Sequence, residues 1–152
     1  MPKKQTIERA RKDRREGKAP TTQAGEFVRE EIEEIREGKH GARFAKQAIA
    51  IGLSKARRAG VKLPIPKKGT VPEDTRRKAK RDAEAARTGR ARRTSRKRSR
   101  ATLQALKREP RSTVSKSALA KQARTAARRR TARSRSASAK KAARTRRATA
   151  KS

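Results

Sequence analysis

Residues 22–60 read TQAGEFVREEIEEIREGKHGARFAKQAIAIGLSKARRAG, and the fold turns on this stretch. Ala24, Val28, Ile32 and Ile35 recur at four, four and three residues, with Phe27 and Glu31 flanking them, which is the spacing of an apolar stripe on a helix. Thr22 is placed to cap that helix, its hydroxyl accepting an otherwise orphaned amide. Glu26, Glu30, Glu33, Glu34 and Glu37 fall on the polar face, and Gly38 and Gly41 bracket a short Gly-Lys-His-Gly turn. A second helix is read from about Ala42 to Ala59, with Ala45, Ala48, Ile49, Gly52, Leu53 and Ala56 on one face and residues small enough for close helix approach. Gly60 followed by Val61 matches a left-handed helix end with its apolar partner. A helical hairpin over 22–60 follows, too short to be robust alone and firmer as a homo-oligomer or when bound.

Outward from the hairpin the chain becomes simpler and more cationic. Residues 1–21 form a charged N-terminal segment in which Thr6 to Glu16 suit a helix, but Ile7 is its only large apolar residue and nothing obliges it to dock. Residues 61–72, with Pro64, Pro66, Gly69 and Pro72, read as a semi-rigid linker. Pro72, Glu73 and Asp74 then open a charged helix over 73–88 that lacks an apolar stripe and is expected to be solvated. Residues 89–152 are a basic low-complexity tail holding 24 basic side chains and one acid, Glu109. Its large apolar residues are Leu103, Leu106, Val114 and Leu119, too few for a core of its own.

Composition sets the same limits over the whole length. The 152 residues carry 49 Lys and Arg against 14 Asp and Glu, a net charge of +35, so the chain is expected to meet a polyanion. Leu, Ile, Val and Phe together number 17, the low-aliphatic, high-charge balance of an extensively disordered chain. The fold class expected is mostly α with extensive disorder: a short helical hairpin and a disordered or transiently helical tail. No cysteine is present, which excludes disulfides, thiolate metal sites and thiol catalysis. The longest nearly uncharged apolar run, Ala48 to Leu53, is too short to cross a bilayer, and the N-terminus lacks the apolar stretch of a secretory signal, so a soluble cytoplasmic protein is expected.

The tail is where the charge becomes chemistry. Arginine pairs phosphate oxygens through a planar fork and lysine acts as a point charge, so clusters of the two track a phosphate backbone. Arg90, Arg92, Arg93, Arg96, Lys97, Arg98 and Arg100 form one such cluster, and Arg128, Arg129 and Arg130 another. Interleaved alanines favour helix on contact. The chain has no Trp or Tyr and neither Phe lies in the tail, so bases have no stacking platform, and duplex DNA or structured RNA gripped through phosphates is favoured over single strands. Arg92 to Ser95, with Ser134, Ser136 and Ser138, suits basic-directed kinases, whose phosphates would weaken that grip.

Signs of an enzyme are weak. His40 has no second histidine or cysteine to share a metal and reads as an exposed loop or cap residue. Ser54 has no base at motif spacing, and Glu30, Glu31, Glu33 and Glu34 read as a solvated face that neutralises the chain's own arginines rather than as catalytic carboxylates or a divalent-ion site. No phosphate-binding glycine loop occurs, so no cofactor is expected.

Two resemblances add to this reading. Gln23 to Ile32, the Arg36-Glu-Gly-Lys-His-Gly turn and the Lys46 to Gly60 helix together resemble a small bacterial family of uncharacterised domains, which implies no settled activity. The tail from about Arg90 to Ser152 is similar in composition to linker-histone C-terminal tails and to bacterial histone-like Ala/Lys/Arg-rich proteins, although arginine outnumbers lysine here. The function expected is a non-enzymatic, histone-like, nucleoid-associated protein that binds DNA without sequence preference and does not engage membranes. An RNA-binding or ribosome-associated protein is one alternative, and an adaptor working through the acidic hairpin is another.

Overall fold

The computed structural model describes residues 2–89 and 95–149. Among them the chain forms seven α-helices and no strand: α1 (Lys4–Arg15), α2 (Pro20–Arg36), α3 (Ala45–Arg58), α4 (Glu73–Thr88), α5 (Arg96–Lys107), α6 (Lys116–Arg128) and α7 (Ala132–Thr149), with a 3-10 turn at Ser112–Val114. The helices gather into two compact units, Met1–Ser115 and Lys116–Ser152.

In the first unit α2 and α3 make the hairpin read from the sequence, with different boundaries. α2 starts at Pro20 rather than after Thr22, because proline suits the first helical position, and no side-chain cap is used. Gly38 and Gly60 close the two helices in the same manner. Gly38 (φ 79°) donates to Ile35 O and Lys39 to Glu34 O, and Gly60 (φ 91°) donates to Arg57 O and Val61 to Ala56 O, the paired bonds of a left-handed helix end. The hairpin closes tightly at Gly52, where a Cβ would stand 2.7 Å from Val28 Cα.

α2 is covered on more than one side, and this changes which residues are inside. Its fully buried apolar residues are Ala24, Phe27 and Ile35, while Val28 and Ile32 are half-buried. The flanking residues Phe27 and Glu31 thus belong to the core face. α1 docks on α2, contrary to expectation, by burying Thr6 and Ala10 and packing Ile7 beside Phe27, Ala24 and Ala56. Two small side chains let α1 come close enough that a large stripe is unnecessary. α4 also docks, against α3, through Ala79 and through Asp82, which accepts a 2.5 Å hydrogen bond from Ser54 Oγ. Phe44, for all its size, is 59% exposed, with the Arg43 guanidinium 5.4 Å from its ring centre.

The tail differs most from expectation. Its described residues are largely helical in α5, α6 and α7, rather than disordered, because Ala, Arg, Lys, Leu and Gln all favour helix. It also contributes to the core of the first unit: Val114 is fully buried in a cluster with Ile35, Ala42 and Ala48. Hydrogen bonds stitch that segment to the hairpin turn. Gly41 N donates to Leu106 O at 2.7 Å, Thr113 Oγ1 to Ala42 O at 2.9 Å, and Arg36 to Val114 O at 3.1 Å. Gly41 has no room for a side chain, since a Cβ there would fall 1.9 Å from Glu109 O.

Candidate functional sites

Two features carry chemistry, a buried charge cluster in the first unit and the exposed cations of the tail. The cluster arises because α2 presents consecutive glutamates to different neighbours. Glu30 is fully buried and turns to the start of α1, where both its oxygens accept from Lys3 N at 3.1 and 3.2 Å, a carboxylate at the positive end of a helix. Glu31, also fully buried, turns to α3. Lys55 Nζ lies 2.7 Å from Glu31 Oε2 and 2.8 Å from Glu34 Oε2, bridging the two carboxylates. His40 completes the group: its Nε2 lies 3.5 Å from Glu31 Oε1 and 3.9 Å from Glu34 Oε2, and its Nδ1 faces Gly41 O at 3.1 Å.

His40 is therefore not an exposed loop residue, its side chain being only 11% exposed, and Glu30 and Glu31 are not a solvated face. Their partners are a lysine, a histidine and a backbone amide rather than arginines. Four-residue spacing predicts that Glu30 and Glu34 share a helix face, but only a helix packed on several sides reveals that Glu31 points inward. Burial pushes the Glu34 carboxyl up, yet the hydrogen bond and charge of Lys55, aided by Lys39, outweigh it and leave Glu34 below its ordinary 4.5. Burial likewise pulls Lys55 down, and the facing carboxylates of Glu31 and Glu34 overcome it, leaving the ammonium above 10.5.

A cavity of about 640 Å³ opens between α3 and α4, lined by Ile49, Leu53, Pro66 and Val71 and by cations that include Lys78 and Arg81. Ser54 and Asp82 also line it, but among the described residues no histidine does, so the hydroxyl has a carboxylate partner and no imidazole base.

Of the cations singled out in the tail, Arg96, Lys97, Arg98 and Arg100 lie on the first two turns of α5, all exposed. Arg128 ends α6, and Arg129 and Arg130 follow it, also exposed. Arg90, Arg92 and Arg93 fall outside the described residues. Arg130 donates to Ser134 O at 2.9 Å and to the hydroxyls of Ser134 and Ser138, which holds the α6–α7 junction without neutralising the charge. The α5 cations belong to the first unit and Arg128, Arg129 and Arg130 to the second. Among the described residues no helix is long and apolar enough to cross a membrane.

Comparison with curated proteins gives no match. Comparison with solved structures gives none either. Residues 3–68, which hold α1 to α3 and every member of the buried charge cluster but none of α4 to α7, match a family of unknown function, DUF6496.

Proposed function

We propose that this chain is a non-enzymatic, histone-like, nucleoid-associated protein that binds duplex DNA through the phosphate backbone, without base preference, and that the tail delivers the binding. The carrying observation is the density of uncompensated positive charge in the tail: 24 basic residues against the single acid Glu109 between 89 and 152. Exposed Arg96, Lys97, Arg98, Arg100, Arg128 and Arg129 form no ion pair among the described residues, so their charge is available to phosphates. Phosphate contacts carry no sequence information, so a grip made mainly through phosphates is sequence-independent, and the lack of aromatic platforms in the tail disfavours single strands.

The helices of the second unit fit the same reading. No described side chain of α6 or α7 is buried, and α7 contains seven cations with no acid, so like charges crowd a helix that packing does little to support. Phosphates neutralise that repulsion, and the tail passes from transiently helical to firmly helical on DNA. The folded N-terminal unit is left free for self-association.

The test is the salt dependence of affinity for a duplex of arbitrary sequence. If about ten phosphates are neutralised, log affinity falls against log salt with a slope near −9. A slope shallower than about −3 would remove the tail from the mechanism. Competition by structured RNA at fixed salt separates DNA from RNA as the partner, tighter binding to RNA favouring the ribosome-associated alternative.

A further inference from the structure

Glu31 and Glu34 of α2, His40 of the turn and Lys55 of α3 bring four ionisable side chains to one place, Glu31 fully buried and the other three no more than 16% exposed. Hairpin packing alone does not require them, because apolar residues of similar volume in place of a buried ion pair are often as stable or more so. Two features of the geometry point to something else. Glu31 is fully buried, and Lys55 approaches its Oε2, while Oε1 accepts no hydrogen bond from any group among the described residues. A buried carboxylate oxygen without a donor is costly to leave unmet. His40 faces that same oxygen with Nε2, 3.5 Å away. In the neutral tautomer that donates from Nδ1 to Gly41 O, Nε2 turns a lone pair toward a carboxylate. Two acceptors facing each other call for a cation between them.

We propose that Glu31, Glu34 and His40 bind one divalent transition-metal ion of the zinc class. One ligand atom from each of the three already lies within 4.8 Å of the others. A tetrahedral zinc ion with bonds of about 2.0–2.2 Å needs its ligand atoms about 3.4 Å apart, so the group closes by an ångström or so on binding. The carbonyl of Gly41 acts as the outer partner that fixes the imidazole tautomer and aims Nε2, the usual support for a metal-bound histidine. A mixed nitrogen and oxygen set favours zinc over magnesium, which prefers six oxygens and keeps its waters. Lys55 is the built-in competitor: its ammonium holds Glu31 Oε2 and Glu34 Oε2 and swings outward when the ion enters. The ion would tie the Gly38–Gly41 turn to α2, in the part of the chain that carries the family match and apart from the cations of the tail.

Titration of zinc into the chelator-stripped, nucleic-acid-free full chain, followed by calorimetry, tests this directly, with cobalt absorption as a report on geometry. One saturable ion per chain is expected, with no corresponding binding of magnesium. His40→Asn and Glu34→Gln each weaken zinc at least about tenfold while the helical circular dichroism stays at the wild-type level, since even outer-shell partners are worth about 10- to 100-fold. Lys55→Met tightens zinc, because the competing ammonium is gone. Absence of saturable zinc binding to the wild-type chain, or wild-type affinity in His40→Asn, overturns the proposal. Should Lys55→Met fail to fold without metal, the other two variants still decide.

Discussion

Lys55 Nζ on α3 stands 2.7 Å from Glu31 Oε2 on α2, and the Glu31 side chain has no exposure to solvent. Such a pair is asymmetric in its energetics. Made whole, it adds little over an apolar contact, whereas broken on one side it leaves a buried charge unmatched. Lys55→Met is therefore expected to lower unfolding free energy by about 3–5 kcal/mol, measured by urea denaturation in metal-free buffer. Replacing Glu31 as well, as Glu31→Met/Lys55→Met, recovers most of that loss. A double variant no more stable than the single one would mean that the pair contributes beyond charge matching.

The same cluster sets the pH range of stability. Glu34 titrates below its unfolded value of 4.5 in the folded chain, so its contribution is fully present above pH 4.5 and is lost as pH falls through the folded value. Lys55 titrates above 10.5 when folded, so its contribution is present below pH 10.5 and is lost as pH rises through the folded value. Urea midpoints plotted against pH should fall on both sides of that window. Glu34→Gln should flatten the acid limb and Lys55→Met the alkaline limb, and an alkaline limb of unchanged steepness in Lys55→Met would assign it to other groups.

Two glycines predict opposite signs for one substitution. Gly52→Ala sets a methyl group 2.7 Å from Val28 Cα and 3.0 Å from Val28 N, backbone atoms that yield only if the two helices separate. A loss of about 1–3 kcal/mol is expected. Gly25 sits in α2 with nothing within 4 Å of the place a methyl group would take, so Gly25→Ala brings only better helix propensity, a gain of about 0.5–1 kcal/mol. Thermal melts of the two variants check the pair, and a stabilised Gly52→Ala would contradict the close packing of α2 on α3.

Much of this architecture is legible in the residues themselves. The period of Ala24 to Ile35, the Gly38–Gly41 turn and the Gly60–Val61 ending are enough to place α2 and α3. Docking of α1 and α4 is not legible, because Thr6, Ala10 and Ala79 work by being small, and small residues give no apolar signal. The inward turn of Glu31 and His40 is hidden for a related reason. A glutamate-rich helix reads as a solvated one, and only packing by α1 on one side and α3 on another makes its polar face interior. Val114 is hidden by distance, being a lone valine 72 residues beyond Ala42, in a stretch whose composition suggests disorder.

Val114 supplies the next test, because it ties the beginning of the tail to the hairpin. Its side chain is fully buried against Ile35, Ala42 and Ala48, so Val114→Ala is expected to cost about 1.5–3 kcal/mol. An independent tail would predict no change. Fluorescence of the chain offers no probe, since Trp and Tyr are absent, and the measurement is a circular dichroism melt. A Val114→Ala melt that overlays the wild type would detach residues 112–114 from the core.

The strongest constraint on the nucleic-acid reading comes from counting charges rather than from measuring affinity. Arg128, Arg129 and Arg130 are exposed, and the bonds of Arg130 to Ser134 and Ser138 are to neutral groups, so all three positive charges remain available to phosphates. Each phosphate neutralised contributes about 0.9 to the slope of log affinity against log salt. Removing all three by Arg128→Ala/Arg129→Ala/Arg130→Ala should make the slope shallower by about 2–3, with affinity lost equally for unrelated duplex sequences because no base is read. The N-terminal unit should melt unchanged, since these side chains lie in the other unit. A slope equal to that of the wild type would exclude these arginines from the interface, and a loss confined to one duplex sequence would show base readout by these side chains, against a grip made through phosphates alone.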